Sequence, residues 1–421
     1  MVNVRGAASG PVGAGERSAL LDSLRGWALL GILAANMVWF IGFGAMSEDQ
    51  RGTMLLAQFD DVSEFLIEWL VVGKFYALFS LLFGIGFAIQ IGRLEQRGEG
   101  ASRYLRRLTI LFLIGIAHLL LLWFGDILAL YALMGAVLLL FRRTPDRALV
   151  IWAVILWLVP IGWSAAIHFG GFQPDGPFVA AGTAAVTSAG LDLSQGPLPF
   201  FREASYLQTL AVNPGAIFFR IGGLVYEMRF TKVLGMFLIG LWIGRRAIHS
   251  NPEQWRALLR RAAKLGLAIG LPLSAAKAVL LMWPGERPAI ELAAEVAYCL
   301  GTPTLAIGYA AVFTLLWLGV RKAAVELAAP AGRMALTNYL MQTVLQSILF
   351  YGWGFGLIGK LSLVFVVPIS IALFALQIVY SRWWLGRYRF GPVEWLWRSA
   401  TYGCAQPMRL KSPGSASAPA R

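Results

Sequence analysis

Residues 103–143 read RYLRRLTILFLIGIAHLLLLWFGDILALYALMGAVLLLFRR. Arginines close both ends (Arg103, Arg106 and Arg107; Arg142 and Arg143), and nearly every side chain between them is apolar. A helix needs about 20 such residues to cross the hydrocarbon core, so the stretch holds two spans joined near Trp123-Phe124-Gly125-Asp126. The exceptions inside the run are the informative part. His118 and Asp126 are ionisable, and such groups at membrane depth are costly and usually line a cavity or a pathway. The chain therefore reads as a membrane protein with chemistry or transport inside a helix bundle.

Composition extends this reading to the whole chain. Of 421 residues, 58% are hydrophobic and 14% charged, against about 25% charged in a soluble domain. The net charge is +14. Because the basic residues sit between apolar segments rather than along one face, the positive-inside rule accounts for them, and nucleic acid is not an expected partner. Two cysteines, Cys299 and Cys404, exclude a disulfide framework and a cysteine zinc cluster. Of His118, His168 and His249, the first alone lies well inside a span, which speaks against a haem held by paired histidines. Neither a metal nor a haem is expected. Residues 1–16 are polar and rich in Gly and Ala, unlike a cleaved signal.

The expected fold is all-α: a polytopic integral membrane helix bundle with about ten transmembrane helices and a C-terminal amphipathic helix. The spans are read at 25–44, 72–92, 105–124, 126–141, 147–168, 230–245, 257–283, 294–319, 333–351 and 361–380. They form a single transmembrane domain, 17–408, between a flexible segment, 1–16, and a disordered tail, 409–421, rich in Ser, Pro and Ala. Residues 169–201 are expected to be an irregular extracytoplasmic loop. Residues 203–228, interrupted by Pro214 and Arg220, are expected to be a re-entrant or interfacial helix. The segment 381–402, SRWWLGRYRFGPVEWLWRSATY, mixes aromatic rings with arginines, which suits a cytoplasmic helix in the headgroup zone. Basic residues fill alternate loops: 93–107, 142–147, 245–264 and 321–322. The loops between them are acidic or lack basic residues, which places both termini in the cytoplasm.

Four constellations could carry function. Asp22-Ser23-Leu24-Arg25-Gly26 opens the first span, with Asn36 about 16 Å further along the axis. Arg25 is either a holder of an anionic group or a positive-inside anchor, and Asn36 either a substrate contact or a helix–helix hydrogen bond; spacing favours the second of each. His118, a candidate general base, and Asp126 would lie about 12 Å apart on an unbroken helix. They are therefore expected as two polar points on one cavity rather than a bonded dyad, and the bland alternative is a core histidine bonded to a carbonyl. Asn338, Gln342 and Gln346 recur every fourth residue in AGRMALTNYLMQTVLQ, so they share a face that must look into the bundle, lining a cavity or bonding other helices. Gly84, Gly86, Gly92, Gly235, Gly240 and Gly244 read as helix packing, with Gln90 a possible cavity residue.

Several runs resemble the YeiB family of bacterial inner-membrane proteins, a domain of unknown function. They are LDSLRGWALLGILAANM, FYALFSLLFGIGFA, GIAHLLLLWFGDILALYALMG, LGMFLIGLWIGRR, GRMALTNYLMQTVLQSILFYGWGFGLIGKLS and FGPVEWLWRSATYG, in family order over nearly the whole chain. That family looks related to the transmembrane acyltransferases, which include the lysosomal enzyme acetylating heparan sulfate and bacterial O-acyltransferases of surface glycans. The bacterial enzymes carry an Arg in the first span and a His eleven positions later. Arg25 fits, but Asn36 stands in the His position, which moves the suspected base to His118.

The resemblance implies transfer of an acyl group from cytoplasmic acyl-CoA or acetyl-CoA to a hydroxyl or amine on an extracytoplasmic acceptor, such as a surface glycan or a small molecule. In that reading His118 and Asp126 are catalytic, and Arg25, Arg106, Arg107 and Arg333 meet the phosphates. Asn36, Trp123, Asn338 and Gln342 contact substrate. The setting is the bilayer of a bacterial inner membrane. The competing reading is a small-molecule transporter or flippase using the same polar cavity.

Overall fold

The computed structural model describes residues 18–98, 100–194, 196–282 and 287–410. The flexible segment expected at 1–16 and the tail beyond residue 410 lie outside them. The chain opens with α1 (Ala19–Ile41), passes through α2 (Glu48–Gly52) and α3 (Asp60–Leu70), and returns as α4 (Lys74–Gln96). The stretch quoted first forms α5 (Ser102–Leu121) and α6 (Leu128–Leu138). Then come α7 (Asp146–Gly170), α8 (Gly176–Ser188), α9 (Leu198–Glu203) and α10 (Tyr206–Tyr226). The next group is α11 (Arg229–Arg245), α12 (Arg256–Leu281) and α13 (Pro288–Trp317). Two short turns, α14 (Lys322–Glu326) and α15 (Ala329–Arg333), lead to α16 (Ala335–Phe350), α17 (Val366–Leu385) and α18 (Pro392–Tyr402).

The protein is an all-α, multi-pass membrane protein. Among the described residues, seven helices are long and apolar enough to cross a bilayer: α1, α4, α5, α7, α12, α13 and α17. All ten expected spans fall on helices, but three are short. α6, α16 and α11, with 11, 16 and 17 residues, reach only about 17–26 Å at 1.5 Å per residue. More than half of the residues in each are buried against neighbouring protein.

Chain ends and glycines set the helix geometry. The Ser18 hydroxyl accepts from Leu21 N at 3.3 Å to start α1, and Gly42, at φ 77°, stops it. α4 and α11 cross at Gly84 and Gly240. A Cβ on Gly84 would lie 2.1 Å from the Phe237 carbonyl oxygen, and one on Gly240 2.1 Å from that of Leu81. Gly235 and Gly244 are also tight, as expected: a Cβ would lie 2.5 Å from the Trp157 ring and 2.4 Å from Ala88 Cβ. Gly92 meets nothing and Gly86 faces a cavity, so the packing reading fails at those two.

Three local expectations change. Residues 169–201 are not irregular: α8 (GPFVAAGTAAVTS) forms there because Pro177 sits in its first turn, alanine favours helix, and Val186 buries against α10. The segment 381–402 is not one helix. α17 runs to Leu385, the chain turns, and α18 starts at Pro392, a residue suited to a first turn. Arg409 belongs to no disordered tail, since it pairs with Tyr388 in an isolated antiparallel bridge.

Residues 203–228, expected as a re-entrant or interfacial helix, hold α10. This helix is about 31 Å long, yet its first, middle and last turns all bond residues near one end of the bundle. Tyr206 Oη donates to Leu121 O, Asn213 Nδ2 to Leu120 O and Arg220 to Asp126 O, while Val225 O accepts from Trp163 Nε1. Pro214 is carried inside the helix without breaking it. The opposite, basic end holds the arginine clusters of 93–107, 142–147 and 245–261. Besides smaller clusters between α8 and α10 and between α12 and α13, two larger apolar cores lie among the described residues, one around α4, α7, α11 and α13 and one around α1, α16 and α17. The cavity described next opens between them.

Candidate functional site

His118 and Asp126 are bonded, which overturns the expected separation. The α5 helix ends three residues after His118, whose carbonyl accepts from both Leu122 N and Trp123 N at 3.0 Å. The chain then reverses. Trp123 folds over Gly125, where a Cβ would sit 2.2 Å from the indole, and Asp126 swings back. The His118 Nδ1 to Asp126 Oδ2 distance is 2.8 Å, and both side chains are fully buried. Asp126 Oδ1 accepts from Ala129 N at 2.8 Å, so one carboxylate starts α6 and holds the imidazole. Gly115 permits the approach of the two helices, since a Cβ there would lie 2.5 Å from Ala129 N.

Two residues that the sequence did not point to as part of the site complete the arrangement. Thr343, on α16, places its hydroxyl 3.0 Å from His118 Nε2. Arg220, on α10, donates to the Asp126 carbonyl from Nε at 3.1 Å and from a terminal nitrogen at 2.7 Å, pinning the turn. Thr343, His118 and Asp126 thus form a buried chain of hydrogen bonds in the order hydroxyl, imidazole, carboxylate. That order is the one by which an imidazole activates a hydroxyl while a carboxylate fixes its tautomer.

A cavity of about 1120 Å³ reaches toward this trio from the basic end. Arg25, Arg93, Arg97, Arg103, Arg107, Arg333 and Arg398 are among its lining residues, and its inner part is formed by Phe79, Phe83, Leu111, Ile127, Tyr131 and Tyr339. Tyr339 separates it from the trio: the phenol ring centroid lies 5.3 Å from that of His118, and His118 itself does not line the space. The C-terminal helix walls the mouth. Glu394 accepts from Leu336 N at 2.7 Å, Thr337 N at 3.0 Å and Thr337 Oγ1 at 2.5 Å, while Thr337 Oγ1 accepts from Val393 N at 3.1 Å. The starts of α16 and α18 therefore cap each other. Burial raises the Glu394 carboxyl above its ordinary range, although its hydrogen bonds pull the other way. Trp397 donates to the Arg107 carbonyl at 2.8 Å, and the Arg107 guanidinium stacks 3.9 Å from that ring.

Sequence comparison adds the lineage. Residues 243–404 match the family described as a protein of unknown function, DUF418. The uncharacterized protein YxaH of Bacillus subtilis (strain 168) is 33% identical, covering 94% of this chain and 97% of its own length. The uncharacterized protein YeiB of Escherichia coli (strain K12) is 32% identical, with 94% and 99% covered. The chain belongs to the YeiB-like DUF418 family. A 39.9 kDa relative from the amylase 3' region of Bacillus acidopullulyticus is 30% identical, with 95% and 98% covered.

In this YeiB-like protein the remaining candidates divide sharply. Arg25, Arg107 and Arg333 line the cavity, with Arg25 also held by Asp22 at 2.9 Å. Arg106 does not join them. One position round the helix from Arg107, it is exposed and lines a shallow surface hollow beside Gly403 and Cys404. Asn36 is half-buried on α1 and lines no part of the cavity. Trp123 is a packing residue, 4.9 Å from the Phe40 ring. Asn338 donates to Ala331 O and Ser381 Oγ, and Gln342 to Leu29 O and Gln377 Oε1. Of the two readings of that ridge, helix-to-helix bonding describes Asn338 and Gln342. Gln90 lines the cavity, as does His249 from the α11–α12 connection.

Proposed function

We propose that this protein is a membrane-bound acyltransferase that takes an acyl group from acyl-CoA and gives it to a hydroxyl or amine on an extracytoplasmic acceptor. The observation that carries the reading is the cavity. Its mouth is rich in arginine, its neck is apolar and aromatic, and its inner end stops one phenol ring short of a buried imidazole–carboxylate pair. Ligand sites commonly measure about 300–1,000 Å³, so this space suits a cofactor-sized molecule. Guanidinium groups bind phosphate through paired, planar donors, which favours a nucleotide phosphate at Arg25, Arg107 and Arg333. The narrow neck suits a pantetheine arm, and the thioester would arrive at His118, the general base.

In this reading the basic end faces the cytoplasm of a bacterial inner membrane, with both termini on that side. The opposite end, where α8 to α10 lie, receives the glycan or small-molecule acceptor.

Calorimetric titration of the purified protein with acetyl-CoA tests the reading. Saturable binding is expected, weakened about tenfold or more by Arg107→Ala and by raised salt. No binding by the wild type up to about 1 mM acetyl-CoA, the upper range of usual substrate affinities, would overturn it.

A further inference from the structure

We propose that Thr343 is the nucleophile that carries the acyl group, so that the reaction proceeds through an ester on the protein. The proposal rests on the acyl-CoA reading above and deepens it. Asp126 accepts from Ala129 N through one carboxylate oxygen and meets His118 Nδ1 with the other. An ionised carboxylate has only acceptors to offer, so Nδ1 carries the hydrogen and Nε2 is left with its lone pair toward the Thr343 hydroxyl, 3.0 Å away. The base is thus already engaged with a hydroxyl of the chain itself. An incoming acceptor can reach Nε2 only by displacing Thr343, whereas Thr343 needs no displacement to react.

The surroundings of Thr343 on α16 match a two-stage transfer. One turn toward the basic end, on the same face, stands Tyr339, the residue that closes the inner end of the cavity. Rotation of that side chain exposes Thr343 and His118 to a thioester. One turn toward the other end stand Gln346 and Ser347, almost completely buried. Gln346 Oε1 and Ser347 Oγ, like Asn338 Oδ1, Tyr339 Oη and Gln342 Oε1 on the same helix, have no hydrogen-bond partner among the described residues, so both retain the capacity to accept from a ligand hydroxyl. The second stage would bring a hydroxyl-bearing acceptor to them from the end opposite the cavity.

In the first stage Thr343 Oγ1 attacks the thioester carbonyl carbon and its proton passes to His118 Nε2. The carbon–sulfur bond breaks, the sulfur takes that proton, and free CoA thiol leaves toward the basic end. In the second stage the acceptor oxygen attacks the Thr343 ester and gives its proton to Nε2. The carbon–Oγ1 bond breaks, and Thr343 regains the proton. Donor and acceptor need never occupy the protein together.

The test incubates full-length protein with acetyl-CoA labelled in the acetyl group, without acceptor, and maps the label by peptide mass. The expected result is one acetyl group on the peptide holding Thr343, resistant to neutral hydroxylamine as an oxyester is. Thr343→Val should lose the label while still binding acetyl-CoA, and Thr343→Ser should keep it at the substituted position. Should Thr343→Val fail to bind, the label site in the wild type and in Thr343→Ser decides. Label on His118, no label on a wild type that binds acetyl-CoA, or acceptor acetylation by Thr343→Val within a few-fold of wild type would overturn the nucleophile and leave the acyltransferase standing. Absence of acetyl-CoA binding to the wild type removes both.

Discussion

His118 and Asp126 meet because a helix stops. Had α5 continued through residue 126, the imidazole and the carboxylate would lie about 12 Å apart; instead they lie 2.8 Å apart, in contact within a buried turn. Asp126→Asn should lower acyl transfer by about 10²–10⁴-fold with little loss of acetyl-CoA binding, because an amide holds the wrong tautomer while still accepting from Ala129 N. Turnover and calorimetry on the one variant check this, and unchanged turnover would remove Asp126 from the relay. Both residues could be picked out of the sequence, since ionisable groups stand out in an apolar run. Thr343 could not, and Arg220 stood out as a charge within 203–228 but not as a partner of Asp126. Thr343 is 225 positions from His118, and Arg220 is 94 from Asp126, so no local spacing announces either. A weak signal existed for Thr343: with Tyr339 and Ser347 it lies four residues apart along one face of α16.

Among the elements, α16 and α18 depend on each other. Leu336 N and Thr337 N would lack acceptors without Glu394, and Val393 N would lack one without Thr337. With the Glu394 carboxyl raised by burial, the docked helix prefers the neutral acid. Docking therefore has its full strength below the ordinary glutamate range and loses part of it as pH climbs through the higher, docked-state value. The part of the tryptophan emission that Trp397→Phe removes should report α18 loosening over that rise, and Glu394→Gln should flatten the response. A wild-type signal that stays constant across the rise would contradict this account. The sequence showed all ten of the long apolar segments as helices, because hydropathy over 16 or more residues needs no tertiary information. It did not show α8, whose small residues read equally well as a loop, nor the break between α17 and α18, where an amphipathic pattern runs through the turn.

For the molecule as a whole, the class was legible and the interior was not. Composition and periodicity suffice for a multi-pass helix bundle, but which polar groups line a space and which tie helices together is settled by partners on distant elements. The α16 ridge illustrates this: Gln342 and Asn338 bond α1, α15 and α17, while Tyr339, apolar by count, lines the cavity. Orientation is open to direct measurement. Cys404 is exposed beyond α18 and Cys299 is buried, so a membrane-impermeant maleimide should label inside-out vesicles and spare intact cells, with Cys404→Ser abolishing the signal. Labelling of intact cells would reverse the proposed orientation and put the arginine-rich mouth outside.

The mutual capping of α16 and α18 also orders events during synthesis. Phe390, Glu394, Trp397, Arg398, Thr401 and Tyr402 form one wall of the chamber, and they follow every other described helix in the chain. Every other helix can enter the bilayer before that wall exists, leaving the arginines open to bulk water and the first turn of α16 uncapped. The nascent chain therefore has no closed chamber until residues 390–402 have been made, and a product truncated before Pro392 would keep the buried relay but lose that wall of the cavity.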